Sequence, residues 1–237
     1  MKVLIAGATG AIGGRILQHV LHRSDITQVI ALTRKPLPEN DSLPDKRVET
    51  IIINDFGDLE SVQNETWEKI QDADAMIWAM GTYNLNEDVN LKYPLAFQEH
   101  LAKRILASPG VQKRREKAKF KFILLSGAFV EPDQSRWLYF LGDQRRMKGV
   151  LQTKTIELAQ SHSELWDAFV IRPGGIILGG DTYVNKATEY LFGSSLAIRG
   201  DELGAFVADL VVHGSQQTVI QNSDMVERGR KLLYETS

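Results

Sequence analysis

The sequence predicts an α/β fold: a doubly wound, mainly parallel sheet between helical layers, with a small helical extension at the C-terminal end. Three observations carry this expectation. Short apolar runs alternate with helical stretches along most of the chain, and the first run feeds directly into a glycine-rich turn. After residue 173 the pattern loosens into glycines followed by helices. A run that is apolar at nearly every position reads as a strand buried on both faces, as parallel strands covered by helices are.

The first strand is Lys2 to Ala6. It runs into Gly7-Ala8-Thr9-Gly10-Ala11-Ile12-Gly13-Gly14, where glycines recur as G-x-x-G-x-x-G, and a helix over Ile12 to Leu21 follows. A tight turn between a buried strand and a helix lets backbone approach a phosphate. The helix start then offers free N–H groups and the positive end of its dipole. Glycines also serve ordinary turns, but here the strand–turn–helix context is present. It points to a dinucleotide held by Gly7, Thr9, Gly10, Ala11, Ile12 and Gly13.

The remaining strands are expected at Val29 to Leu32, Val48 to Ile53, Ala75 to Ala79, Phe120 to Leu125 and Ala168 to Ile171. Helices are expected over Leu59 to Gln71, Pro94 to Leu106 and Met147 to Gln160. The loop Lys35 to Lys46 carries Pro36, Pro38 and Pro44 and reads as a surface excursion. Beyond residue 173, helices near Asn185 to Phe192, Ala205 to Gln217 and Met225 to Tyr234 either cap a pocket at the carboxyl ends of the strands or cover the sheet edge. The 237 residues fit one domain, with about 174–237 as a smaller substrate-side region.

Composition narrows the function classes. The 28 Lys and Arg nearly balance 30 Asp and Glu, so no global charge draws the chain to nucleic acid or an anionic membrane. The basic run Lys113 to Lys119 reads as a solvated face. With no cysteine, disulfides, thiolate nucleophiles and thiolate-held metals are excluded. The five histidines form no metal-ligand spacing, and no G-x-S-x-G elbow suggests a hydrolase. The first strand starts at the N-terminus and no apolar run approaches spanning length, so a soluble, cytoplasmic protein is expected. The expected partner is a small-molecule substrate, not nucleic acid or a membrane; the oligomeric state is left open.

The second strand ends in Thr33-Arg34-Lys35. NAD-preferring sites place an acid near this point to take the ribose 2′-hydroxyl. Two cations stand here instead: Arg34 matches a 2′-phosphate through its planar fork, and Lys35 adds charge. This favours NADP over NAD, the alternative being a solvated pair of charges. After the third strand, Asp55 can accept from the adenine amino group and Phe56 can border the ring, or the segment leads into a helix cap. After the fourth, Met80-Gly81-Thr82 lets backbone pass close to the cofactor or simply ends the strand.

These motifs, followed by Leu125-Ser126-Gly127 and Arg172-Pro173-Gly174, come in an order that resembles the short-chain dehydrogenase/reductases. The chain is most similar to their atypical NmrA-like and flavin-reductase-like branch, in which GATGxxG and a following TR are typical. The resemblance covers about residues 2 to 176, and Phe206-Val207-Ala208-Asp209 echoes a late motif of that group. It implies a Rossmann-like fold, an NAD(P) cofactor and Ser, Tyr and Lys as catalytic residues, with Tyr four positions before Lys on one helical face. Ser126 matches the Ser and Lys148 the Lys, but Gln144 stands four residues before Lys148. Tyr139 is nine residues before it, on the opposite side of a continuous helix, unless Gly142 breaks that helix.

The resemblance further implies Lys148 on the nicotinamide ribose and the backbone of Arg172, Pro173 and Gly174 beside the nicotinamide. Arg172 can alternatively pair with a carboxylate between elements. Trp137, Tyr139 and Phe140 either line an apolar pocket over the nicotinamide or pack a core or dimer face. The leading expectation is an NADPH-dependent reductase of a small carbonyl or enone-type compound, protonated by water for want of the Tyr. An isomerase, lyase or cyclase, or an NADPH-sensing partner-binding module, stays open on the same scaffold.

Overall fold

A computed structural model describes residues 1–37, 45–82, 84–179 and 196–235. Seven parallel strands form the central sheet: β1 (Lys2–Ala6), β2 (Gln28–Thr33), β3 (Val48–Ile52), β4 (Ala75–Trp78), β5 (Phe120–Leu125), β6 (Trp166–Arg172) and β9 (Val219–Gln221). Their order is β3-β2-β1-β4-β5-β6-β9. The short strands β7 (Gly175–Ile177) and β8 (Ala197–Arg199) pair parallel in a separate ribbon. This is the doubly wound, Rossmann-like α/β architecture expected from the sequence.

Side-chain alternation explains why apolar runs are needed here. On β1, Leu4 and Ala6 enter one core while Val3 and Ile5 enter the other. On β4, Met76 and Trp78 oppose Ala75 and Ile77 in the same way. Both faces of each strand must therefore be apolar. The first core is covered by α2 (Asn64–Gln71), α3 (Tyr93–Ala107) and α5 (Gly142–Ser161), through residues such as Trp67, Phe97 and Leu151. The second is covered by α1 (Ala11–Leu21), α6 (Gly200–His213) and α7 (Asn222–Glu235). Leu203, Phe206, Val207, Leu210 and Val211 give α6 its buried helical stripe.

Thus α6 and α7 are a layer on the sheet. The segment Asn185 to Phe192, expected to be helical, lies outside the described residues.

Several boundaries differ from expectation. The stretch Leu59 to Gln71 splits into a 3-10 turn over Leu59–Ser61 and α2, because Val62 is extended at φ −72° and ψ 125°. α6 spans Gly200–His213 where the pattern suggested Ala205 to Gln217. α5 begins five residues before the expected Met147, at Gly142, because its first turns are polar and carry no apolar period.

The basic run is not merely solvated: most of it forms α4 (Pro109–Lys117), and Arg115 is 0% exposed. Its Nη2 donates to the carbonyls of Asp72 and Ala73 at 2.8 and 2.5 Å, and its Nη1 meets Asp74 at 3.3 Å. Asp74 also accepts the Lys2 N–H at 2.8 Å, so one guanidinium ties α4 to the starts of β1 and β4. Burial pushes the Arg115 pKa down, and Asp74 opposes this. On the neighbouring strand, Lys121 Nζ donates to the carbonyls of Val211 and Val212, closing the end of α6. No helix among the described residues is long and apolar enough to cross a membrane.

Arg115→Met removes one donor of Asp74 and leaves the carbonyls of Asp72 and Ala73 without the guanidinium. It is expected to lower unfolding free energy by about 3 kcal/mol in urea titration; a loss under about 1 kcal/mol would refute the anchoring role.

Candidate functional site

The strand order reverses between β1 and β4, and a crevice opens at their carboxyl ends. The Gly7–Gly13 turn fills its floor. Gly7 has φ +89°, and a Cβ there would lie 2.7 Å from the Ala79 carbonyl carbon. A Cβ on Gly13 would lie 2.1 Å from the Gly7 oxygen. Gly10 N–H donates to Gly7 O at 3.0 Å, and Gly10 caps α1 without a side-chain hydrogen bond. The cradle is made of backbone, and among the described residues no side chain caps the start of α1. That donor set fits a dinucleotide pyrophosphate, with Thr9, Ala11 and Ile12 on the same turn.

Beyond β2, Thr33 is buried and its Oγ1 donates to Lys35 O at 2.6 Å. The turn so formed leaves Arg34 and Lys35 exposed. Asp55 is also exposed, and it accepts the Gly57 N–H at 2.7 Å. Beside it, burial first and then Asp55 push the Tyr93 hydroxyl pKa up. Phe56 does not present a face to a ring at this site. It is 1% exposed and stands edge-on to Trp78 at 5.7 Å, inside the core.

Met80, Gly81 and Thr82 line the crevice past β4. Asn90 holds them: its Oδ1 accepts the Thr82 N–H at 2.8 Å, and its Nδ2 donates to Thr82 Oγ1 and Asn84 O, both at 2.9 Å. Asn90 is buried in a π-helical turn, Asp88–Lys92, that leads into α3. Such turns recur at functional sites because they re-aim a side chain. Sequence reasoning missed Asn90, whose only signal is its place in an asparagine-rich approach to α3.

Next to this wall lies a cavity of about 410 Å³ that brings Ile12, Met80, Ser126, Gln144, Lys148 and Gly174 together. The β5–β6 ladder continues past the strands: Ser126 N–H donates to Ile171 O and Ala128 N–H to Pro173 O, both at 2.9 Å. This places Ser126 and Pro173 on one wall. On the facing wall, α5 presents Gln144, Lys148 and Leu151 at helical spacing, with Leu141 just before its start. Lys148 Nζ lies 3.8 Å from where a Gly127 Cβ would stand. It has no hydrogen-bond or ion-pair partner among the described residues, and burial pushes its pKa down.

Tyr139 is not brought to this cavity. It is 92% exposed and packs edge-on against Trp137 at 4.1 Å. Gly142 starts α5 rather than breaking it, and Leu141, at φ 49° and ψ 38°, turns the chain sharply just before. Trp137 and Phe140 are likewise exposed, and Phe129 and Leu141 line the pocket mouth instead.

Arg172 acts as a strut. Its Nε and Nη2 donate to Gln152 Oε1 at 2.8 and 2.6 Å, one turn along α5 from Lys148. Its partner is thus an amide rather than a carboxylate, and burial pushes the Arg172 pKa down. Gly174 N–H donates to Asn222 Oδ1 at 2.7 Å, while Asn222 Nδ2 donates to Ala197 O at 2.8 Å. Asn222 is a second positioning residue that the sequence reading missed. No group of metal-ligating side chains occurs among the described residues.

A family model described as NAD(P)H-binding matches residues 7–213. No curated protein matches the chain. Among solved structures it is similar to carbonyl reductase Sniffer of D. melanogaster, at 14% identity, 94% of this chain, 96% of that chain and TM-score 0.68. It is also similar to 4-hydroxyisoleucine dehydrogenase complexed with NADH, at 19% identity, 94% and 98% coverage and TM-score 0.64. A third is the oxidoreductase ylbE from Lactococcus lactis, at 19% identity, 99% and 97% coverage and TM-score 0.61. At these identities the likeness is one of fold.

Gly13→Ala forces a Cβ against the Gly7 oxygen. NAD(P)H affinity in a nicotinamide-fluorescence titration is expected to fall at least about tenfold; unchanged affinity would refute the close-approach argument.

Proposed function

The chain belongs to the NAD(P)H-binding family, and on that premise we propose that it is an NADPH-dependent reductase of a small carbonyl or enone-type compound. The observation that carries this reading is the shared cavity. It sets Ser126 and Lys148 beside the backbone cradle of β1 and under the Pro173–Gly174 turn. The reduced nicotinamide, when bound, supplies a hydride.

The chain's own groups do the rest. Gly7 to Gly13 receive the pyrophosphate through backbone. Arg34 makes no ion pair among the described residues, so its fork, with Lys35 beside it, is free for a 2′-phosphate. Lys148 donates to the ribose hydroxyls. The Ser126 hydroxyl donates to the substrate oxygen and stabilises charge as it develops there. Gln144 offers an amide N–H at the place expected for Tyr, but that amide has no proton to give up at neutral pH. The proton that completes the alcohol, or the reduced enone, therefore comes from water.

Gln144 is also the observation that favours a second reading, in which the pocket serves a non-redox isomerase, lyase or cyclase, or an NADPH sensor. NADPH oxidation across a carbonyl and enone panel supports the reductase. Conversion without oxidation supports the non-redox enzyme, and NADPH-dependent partner binding alone supports the sensor.

Arg34→Ala is expected to weaken NADPH at least about tenfold and leave NADH unchanged in the same titration. An equal change for both nucleotides would remove Arg34 from the phosphate. Lys148 supplies a pH test. A lysine held below its ordinary 10.5 by burial loses its charge at lower pH than an exposed one. Cofactor affinity that depends on that charge is full on the acid side and falls as pH rises through a midpoint below 10.5. Lys148→Arg is expected to move the fall upward, and Lys148→Met to abolish it along with part of the affinity. A pH profile identical in all three proteins would refute the role.

A further inference from the structure

We infer that the substrate carries a carboxylate and that Arg145 receives it at the mouth of the pocket. The carbonyl or enone partner of that carboxylate rests on the reductase reading above. The anion itself rests on the charges of the wall.

The described residues that line the cavity include two cations, Arg145 and Lys148, and no Asp or Glu. Neighbouring arginines, Arg146 near the start of α5 and Arg136 in the segment before it, pair with carboxylates. Arg146 pairs with Asp143 at 3.5 Å, and Arg136 with Glu131 at 3.1 Å. Arg145 has no carboxylate partner among the described residues. Its Nε donates to the Phe129 carbonyl at 2.7 Å and its Nη1 reaches the Phe140 carbonyl at 3.5 Å. These carbonyls orient the guanidinium without cancelling its charge, and the Nη1–Nη2 edge keeps hydrogens for a planar, two-oxygen acceptor.

Spacing supports the same division of labour. Arg145 precedes Lys148 by three residues and shares its helical face. It lies one turn nearer the helix start and the exposed Phe129 rim, while Lys148 stands beside Gly127. With Lys148 committed to the ribose, Arg145 is the remaining cation for the substrate. Leu125, Met147, Leu151 and Ile176 also line the cavity and make part of its wall aliphatic. The fitting class is a short-chain oxo acid or enoic oxo acid. Its reducible carbon takes the hydride, water supplies the proton, and its carboxylate stays bound and unchanged.

The test separates the anion from the chemistry. NADPH-loaded full-length protein is titrated by calorimetry with straight-chain carboxylates of about three to six carbons and with their primary amides, which match them in shape but carry no charge. At least one acid is expected to bind about tenfold or more tightly than its amide. Arg145→Gln should erase that ratio while NADPH is still held, and Arg145→Lys should keep part of it. A merely structural Arg145 would weaken acid and amide alike. No acid exceeding its amide, or a ratio intact in Arg145→Gln, would overturn the inference. If Arg145→Gln does not fold, the wild-type and Arg145→Lys ratios decide in the same way.

NADPH oxidation with 4-oxopentanoate and 2-pentanone is followed in parallel. A carboxylate preference in binding without any oxidation would sink the reductase reading and keep the site. Oxidation with 2-pentanone and no preference for acids would sink the site and keep the reductase.

Discussion

Backbone meets backbone where β1 ends beside β4, and the rest of the site depends on that contact. Gly7 and Gly13 leave no volume for a Cβ against Ala79 and the Gly7 carbonyl. Removing side chains there lets α1 start immediately under the crevice, with its free amides facing in. The strand order makes the crevice, since β2 and β3 lie on one side of β1 and β4, β5 and β6 on the other. A cofactor read by amides needs little from the side chains of the turn, which is why the turn can be spelled almost wholly in glycine and alanine.

The facing wall is built on a different principle. α5 is polar through its first turns and buries only part of its length, so packing alone holds its start weakly. Specific polar struts hold it instead. Arg172 grips Gln152 from β6, and Arg145 grips the Phe129 carbonyl from the β5 loop. Asn90 and Asn222 do the same for the loops after β4 and β6. The Arg172, Asn90 and Asn222 struts are partly buried, so each is worth more than a fully exposed hydrogen bond.

Inside the pocket the electrostatics are deliberately unbalanced. Lys148 has no counter-charge among the described residues, and Arg145 is met by carbonyls only. Buried Arg115, by contrast, is met by the carboxylate of Asp74. A cation left unpaired in a half-buried wall raises the cost of the empty state and so favours anionic ligands. The carboxylate proposed for the substrate would answer the charge of Arg145.

The sequence by itself determined the layered sheet, the glycine cradle and the cation pair after β2. Each is a local pattern: an apolar run, a glycine spacing, a short motif at a strand end. It also located Ser126 and Lys148 by resemblance, and showed Gln144 at the place of the Tyr. Tertiary structure decided what has no local period. Phe56 went into the core because Trp78 and Phe97 close around it, and Tyr139 went to solvent because the turn at Leu141 starts α5 beyond it. Arg115 sat unnoticed in a basic run because its burial depends on carbonyls forty residues away in the chain. Asn90, Asn222 and the open charge of Arg145 emerged only in space. A strut or an unpaired cation is defined by what stands opposite it, and the sequence does not say which residues will face each other.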